Sequence, residues 1–462
     1  MLRGLRLLLL LDAAAMVVAS TITDPIVSDV ALAPLLLVSV VLGIACLSGD
    51  LVAPRRRLPV VCSALTIVAP FPFLLLGAPW GTRTAAVVLA LLQIVPLVGD
   101  RRSRAPMGGP RRVVAALTIT TALLLVGSVF LVWYGATYLI PAPKGVFSRN
   151  PYLVSLTTTR AQFAWKTTHG AVGLSARAPD GTVAHAAGGV LSGLAPGTRY
   201  VWTANLAGVS AAAGSFETAP TTTATPIRLV SFGDYGSGNA HEYAIARLAA
   251  ATDPSLFLSA GDNAYLLAAP PLLDRAIFAP LRPLLAEAAP VVALGEHDLA
   301  WNDGSAVISA FDLPGHHYTA QYGPVQVVVL GLQADASALA YARQVLGRCD
   351  GACPVRFVLL HRPIDAGNPI MPLLRARHVA AILAGHLHRY ERHVRAAILQ
   401  FTVGTGGEGP GSAAFTRPTA DAIVSLQAYG FLEIDIQGGS ISYRFVDQSG
   451  RTRDHVDQRI PG

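Results

Sequence analysis

The stretch VAAILAGHLHRYER (379–392) decides the fold: six apolar residues run without a polar break and end at once in a glycine and two histidines. A continuous apolar run suits a strand buried on both faces. His386 and His388, two residues apart, reach one shared site from an extended loop. Four runs upstream end in the same way. IRLVSFGDYG (227–236) closes on Asp234, and SLFLSAGDNAY (255–265) closes on Asp262 with Tyr265 three residues on. VVALGEHD (291–298) ends in Glu296, His297 and Asp298, and VRFVLLH (355–361) ends in His361. Several intervening segments can form helices, so residues 227–446 predict an α/β layered domain, a β-sandwich flanked by helices. In such folds a site gathers at the carboxyl ends of the strands, where all these residues fall.

Each motif alone is weak. GDYG is a common turn, GDNAY reads as another, and one histidine at a strand end is more often structural. Five in succession, each offering oxygen or imidazole, are hard to obtain by chance, and nine of the 12 histidines lie between positions 241 and 393. The pattern predicts a dinuclear metal site. Two cations about 3.5–4 Å apart can activate a bound hydroxide, so no protein nucleophile is needed.

The same residues resemble the calcineurin-like metallophosphoesterase superfamily, whose pattern is GDxG, GDxx[Y], GNH[DE], a strand-end His and GHxH. The tyrosine after GDNA and the string GHLHRYER look like the purple acid phosphatases. The resemblance implies a first metal held by Asp234, Asp262, Tyr265 and His388, and a second held by Asp262, Glu296, His361 and His386. A phenolate ligand favours a trivalent ion such as Fe³⁺, and the second set suits Zn²⁺, Mn²⁺ or Fe²⁺. His297 becomes the candidate for protonating the leaving oxygen, with Asp298 orienting it; such help is typically worth about 10²–10⁴-fold. One departure stands out: Glu296 occupies the place where the family has Asn. Its extra negative charge should tighten the second metal, weaken its Lewis acidity and repel anionic substrates. Altered metal preference or a diester preference is the expected result. Glu296→Asn should change metal content or the monoester-to-diester ratio.

Other polar residues say less. His316 and His317 either line the pocket or sit on a surface loop. Arg392 and His393 are expected at the pocket rim, and His241 and His378 read as ordinary surface or helix positions. VGTGGEGPG (403–411) either approaches a phosphate through backbone N–H groups or is a plain turn, and the turn is favoured because it lacks the Lys-Ser/Thr of a P-loop.

Working toward the N-terminus, residues 150–218 alternate in short β-like runs. Phe163 and Trp165 share one face, and Tyr200 follows the Pro196-Gly197 turn like the corner tyrosine of an immunoglobulin-like sandwich. The expectation is a minimal fibronectin type III-like β-sandwich packing on the next domain, an arrangement the purple acid phosphatases share. Residues 219–226, within TAPTTTATP, read as a linker, and 447–462 as a C-terminal tail.

A mean hydropathy of +0.48 is too high for a purely soluble chain of 462 residues. The excess falls in residues 1–140, where apolar stretches occupy about 7–22, 30–48, 58–78, 84–98 and 113–139. Most approach the roughly 20 residues that cross a bilayer. Arginine-rich and arginine-poor connectors alternate between them, which predicts five spans with the N-terminus cytoplasmic and everything after residue 140 outside. Trp133, Tyr134 and Tyr138 would form the outer aromatic belt. The net charge of +7 has the same origin. Ten arginines lie in the arginine-rich segments flanking these stretches against Asp50 and Asp100, a net +8, so the remainder of the chain nets about −1, and a nucleic-acid partner is not indicated. Cys46 and Cys62 fall inside predicted spans. Cys349 and Cys353 lie on the oxidising side, where a disulfide is favoured over a zinc site.

These readings converge on an integral membrane protein with an extracytoplasmic, metal-dependent phosphoesterase domain. Its partners would be a phosphate-ester substrate and the lipid bilayer. The rival expectation is a metal-containing, non-catalytic sensor or scaffold domain on the same anchor.

Overall fold

Residues 149–217 alternate buried and open positions, and they build two antiparallel sheets. A computed structural model of the chain describes residues 147–461, apart from 168–169, 207–208, 266–267, 349–352 and 410–416. The five apolar segments, Cys46, Cys62 and Cys349 lie outside the described residues. Among those described, no helix is long and apolar enough to cross a membrane. Cys353 is buried and disulfide-bonded.

The first sheet has the order β1–β2–β5, from Arg149–Leu156, Arg160–Lys166 and Val190–Ser192. The second has the order β4–β3–β6–β7, from Val183–His185, Val172–Arg177, Arg199–Leu206 and Val209–Glu217. Strand β6 (RYVWTANL) turns Tyr200, Trp202, Ala204 and Leu206 inward at period two. Trp202 meets Phe163 edge-on at 5.2 Å, and the Tyr200 hydroxyl accepts the Ala195 amide at 2.9 Å. The sandwich is bolted to the residues that follow. Trp202 Nε1 donates to the Ala286 carbonyl at 2.8 Å, and Arg149 pairs with Asp274 at 2.7 Å.

Residues 227–459 form two larger sheets. One has the order β10–β9–β8–β18–β19–β20. Its strands are β8 (Ile227–Phe232), β9 (Leu256–Ser259), β10 (Ala289–Val292), β18 (Gly430–Gln437), β19 (Ser440–Asp447) and β20 (Thr452–Arg459). The other has the order β11–β12–β13–β14–β16–β15–β17. Its strands are β11 (Tyr318–Tyr322), β12 (Val325–Val329), β13 (Val355–Leu359), β14 (Ala381–Ala384), β15 (Tyr390–Arg395), β16 (Ile398–Val403) and β17 (Val424–Leu426). Strands β8, β9 and β10 run parallel, as do β12, β13, β14 and β16, while β18 returns antiparallel on β8.

Period two explains why the runs are apolar throughout. Leu229, Leu258, Val291, Phe357 and Leu383 point into the core shared by the sheets. Val230, Phe257 and Val292 pack outward under Ile245 and Leu284, and Val358 and Ile382 pack outward on Ala342 and Leu374. Helices therefore cover both outer faces, and each buried aliphatic or Phe side chain contributes about 1.5–3 kcal/mol. The tail expected at 447–462 is corrected: residues Thr452–Arg459 are edge strand β20, paired antiparallel with β19. Its sequence, TRDHVDQR, is polar on both faces because an edge strand needs little apolar surface.

Candidate metal centre

Every parallel strand that ends in a motif ends at one place. Asp234 follows β8, Asp262 follows β9, Glu296 follows β10, His361 follows β13, and His386 and His388 follow β14. Two sets of groups have donor atoms close enough to share an ion: Asp234, Asp262 and His361, and Glu296, His361 and His386. Tyr265 lies against the first set. Its hydroxyl is 3.2 Å from Asp234 Oδ1, 3.4 Å from Asp262 Oδ2 and 3.4 Å from His388 Nε2. His388 Nε2 is 3.3 Å from Asp234 Oδ1. On the other side, His361 Nε2 lies 3.4 Å from Asp262 Oδ2 and 3.0 Å from Glu296 Oε2, and His386 Nδ1 lies 2.9 Å from Glu296 Oε1. All seven residues read from the sequence as ligands thus meet in one cluster.

The backbone bends sharply to bring them there. Asp234, Asp262 and His386 have φ of 56°, 50° and 70°, a left-handed conformation uncommon for side-chain-bearing residues and concentrated at functional sites. Two motif glycines are set by close approach. A Cβ on Gly295 would stand 2.1 Å from Asp262 Oδ1, and one on Gly385 would stand 2.4 Å from Asp234 Oδ2.

The donor set fits cations. His361 Nδ1 is 2.8 Å from the Ala260 carbonyl and His388 Nδ1 is 2.7 Å from the Gly409 carbonyl. A carbonyl only accepts, so each Nδ1 donates and each Nε2 is turned toward the carboxylates, as metal-binding imidazoles require. Glu296 Oε2 and His361 Nε2 are both buried and make no hydrogen bond, although they face each other at 3.0 Å. Burial opposes the charged ring, yet Asp262 and Glu296 raise the pKa of His361 well above its ordinary value, and Asp234 carries His388 to about 9. Burial would also raise Glu296, but His361 and His386 outweigh it and hold the carboxyl well below its usual range. Burial and the adjacent Asp234 and Asp262 push the Tyr265 phenol far up, so a phenolate forms there only beside a strong cation.

His297 stands at the edge of the cluster, with Nε2 4.0 Å from Asp262 Oδ2 and its ring 4.6 Å from that of Tyr265. Asp298, expected to orient His297, turns its buried carboxylate to Asn263 Nδ2 at 2.7 Å and the Gly295 amide at 2.8 Å. Burial, with Asp262 nearby, raises it to about 7. Asn263 was invisible as a site residue. It ties Asp298, the Ala293 carbonyl, Ser259 and Tyr235 together beneath Asp262.

Two further expectations are corrected. The described part of VGTGGEGPG, residues 403–409, walls the site rather than forming a plain turn, because the Glu408 amide donates to the Asp234 carbonyl at 2.8 Å and Gly409 holds His388. Arg392 and His393 do not rim the pocket. They lie on β15, where Arg392 pairs with Asp454 of β20 at 2.7 Å and His393 is buried on Glu391. His316 and His317, for which a pocket wall and a surface loop were both open, line a cavity of about 180 Å³ with Leu294 and Gln333. Arg362, also missed, reaches Glu296 Oε1 at 3.0 Å.

No family model matches the chain, and no curated protein matches it. Among solved structures, PhoD is similar over 70% of this chain and 92% of its own, at 10% identity and a TM-score of 0.50. GAP50, the anchor in the inner membrane complex of Plasmodium, covers 51% of this chain and 90% of its own, at 14% identity and a TM-score of 0.42. The likeness to PhoD is one of fold alone.

Proposed function

We propose that this chain is a membrane-anchored, extracytoplasmic phosphoesterase of the purple acid phosphatase-like kind, with two cations at the centre described above. The single observation that carries the reading is the convergence of seven oxygen and imidazole donors from both sheets, with two imidazoles locked by backbone carbonyls. Asp234, Asp262, Tyr265 and His388 would hold the first ion, and Asp262, Glu296, His361 and His386 the second. The phenol among the first set supports Fe³⁺ there, with Zn²⁺, Mn²⁺ or Fe²⁺ in the second.

Bound cations would supply Lewis acidity toward a water and toward the phosphate oxygens. The chain supplies the rest. The carboxylates and imidazoles fix the site, the buried half excludes solvent, and His297 gives its proton to the ester oxygen as the P–O bond breaks. Water adds its oxygen to phosphorus, so the products are an alcohol and phosphate, or a phosphomonoester from a diester.

The alternating arginine connectors support five spans with the N-terminus cytoplasmic. The disulfide at Cys353 supports an oxidising compartment. The seven-stranded sandwich, its Tyr200 hydroxyl on the Ala195 amide, supports a fibronectin type III-like domain over residues 150–218.

The test uses the purified full-length chain, with metal content, visible absorption, and turnover of p-nitrophenyl phosphate and its bis ester. Two metals per chain, a charge-transfer band lost in Tyr265→Phe, and turnover abolished by Asp262→Ala are expected. Metals without turnover of either ester would sink the enzyme reading and leave a sensor or scaffold.

A further inference from the structure

We propose that Arg362 and Glu296 act as one charge-compensated ligand, which restores to the second cation site the neutral character that an amide would give it. This rests on the metal-centre reading above. The geometry divides the labour between the two carboxylate oxygens. Oε1 takes Arg362 Nη2 at 3.0 Å and Nε at 3.3 Å, together with His386 Nδ1 at 2.9 Å. Oε2 turns toward His361 without a hydrogen bond and is the atom left for an ion.

Arg362 is placed by the main chain rather than by chance. Its amide donates to the Leu332 carbonyl at 2.7 Å, one step along from the His361 amide on the Gly331 carbonyl at 3.0 Å. Nη1 leans on Gln333 Oε1 at 3.5 Å. The strand end that delivers His361 thus delivers the guanidinium as well.

The consequence runs against the plain reading of Glu296. An uncompensated carboxylate would bind the second cation more tightly and repel a phosphate monoester, which carries nearly two negative charges near neutral pH. With the guanidinium on Oε1 that repulsion is offset at the mouth of the site, where the two side chains are 42% and 27% exposed. A monoester is therefore admitted despite Glu296.

The test is Arg362→Gln in the full-length chain, which keeps a donor for Oε1 and removes the charge. Zn²⁺ affinity, read by competition with a chromophoric chelator, should tighten about tenfold, and the monoester-to-diester rate ratio should fall about tenfold. Arg362→Lys should restore both, and Glu296→Asn combined with Arg362→Gln should return both close to wild type. Cations that bind with unchanged affinity in Arg362→Gln, or a shift equally large in the Glu296→Asn background, overturn the pairing. A wild-type chain that takes up no cation overturns the metal centre itself, a result distinguishable from failure of the pairing alone.

Discussion

Two clusters of buried charge each draw residues from GHLHRYERHVR (385–395), and they are built on opposite principles. Along β15, Glu391 takes the Thr419 amide at 3.0 Å, the Ser425 hydroxyl at 2.8 Å and Arg389 at 3.1 Å. Arg395 grips Asp421 with two nitrogens at 2.8 and 2.9 Å, and His393 bridges Glu391 and Asp421. Acids and bases balance there, so the network is complete within the protein. At the metal centre, Asp234, Asp262 and Glu296 converge, and Arg362 pairs with Glu296 at the rim. An excess of buried carboxylate over fixed positive charge is costly unless something else is bound. Balanced charge marks architecture, and this imbalance marks a place for cations.

The difference between the clusters can be broken in stages. The largest effect is expected from Asp262→Ala, which removes the shared ligand: turnover of p-nitrophenyl phosphate should fall about 10³-fold or more with the fold retained by circular dichroism. Glu391→Gln should leave turnover within about twofold, because its cluster binds no substrate. Next comes chelation. Stripping cations from the wild type should lower unfolding free energy by about 3 kcal/mol when free ion had stood at about 100 times Kd. The same treatment of Asp262→Ala should change it little.

Gly295→Ala should come third. A methyl 2.1 Å from Asp262 Oδ1 must displace the carboxylate, at a cost of about 1–3 kcal/mol in stability and about 10–100-fold in cation affinity. Unchanged metal content in this variant would show that Asp262 does not need its observed position.

The smallest effect belongs to the balanced cluster and to acid. Burial would raise Glu391, but bonds from His393, Thr419 and Ser425 outweigh it and hold the carboxyl at about 2, against an ordinary 4.5. A depressed carboxyl stabilises the fold above its unfolded pKa and loses that contribution as pH falls through the folded value. Between about pH 4.5 and 2 the wild type should therefore lose stability more steeply than Glu391→Gln, as read by denaturant midpoints across that window. Parallel slopes would place the acid sensitivity elsewhere.

The sequence made the candidate ligands legible because each sits where an apolar run stops, and strand ends are where such folds collect chemistry. The layered arrangement was readable for a related reason: runs such as LFLS leave no polar face, so both faces must be covered. What stayed hidden depended on partners distant in the chain. Arg362 looks like any residue after His361 until Glu296, 66 positions away, is seen beneath it. Asn263 looks like part of a turn until it is found joining Asp298 to Tyr235. HRYERH looked like a continuous rim because period two is invisible in a stretch polar on every residue. Strand β15 in fact carries Arg392 to β20 and His393 to the covered face. Strand β20 escaped notice because an edge strand of charged residues carries none of the apolar pattern by which strands are recognised.

The glycines that abut Asp262 and Asp234 also govern how this centre can diversify across generations. Main-chain packing fixes where each ligand begins, so exchanging one donor for another leaves its neighbours where they were. A single methyl group at Gly295 or Gly385, by contrast, dislodges a carboxylate. Heritable change in metal preference is thus channelled into the ligand side chains and their immediate counter-charges, and the scaffold beneath them is shielded from experiment.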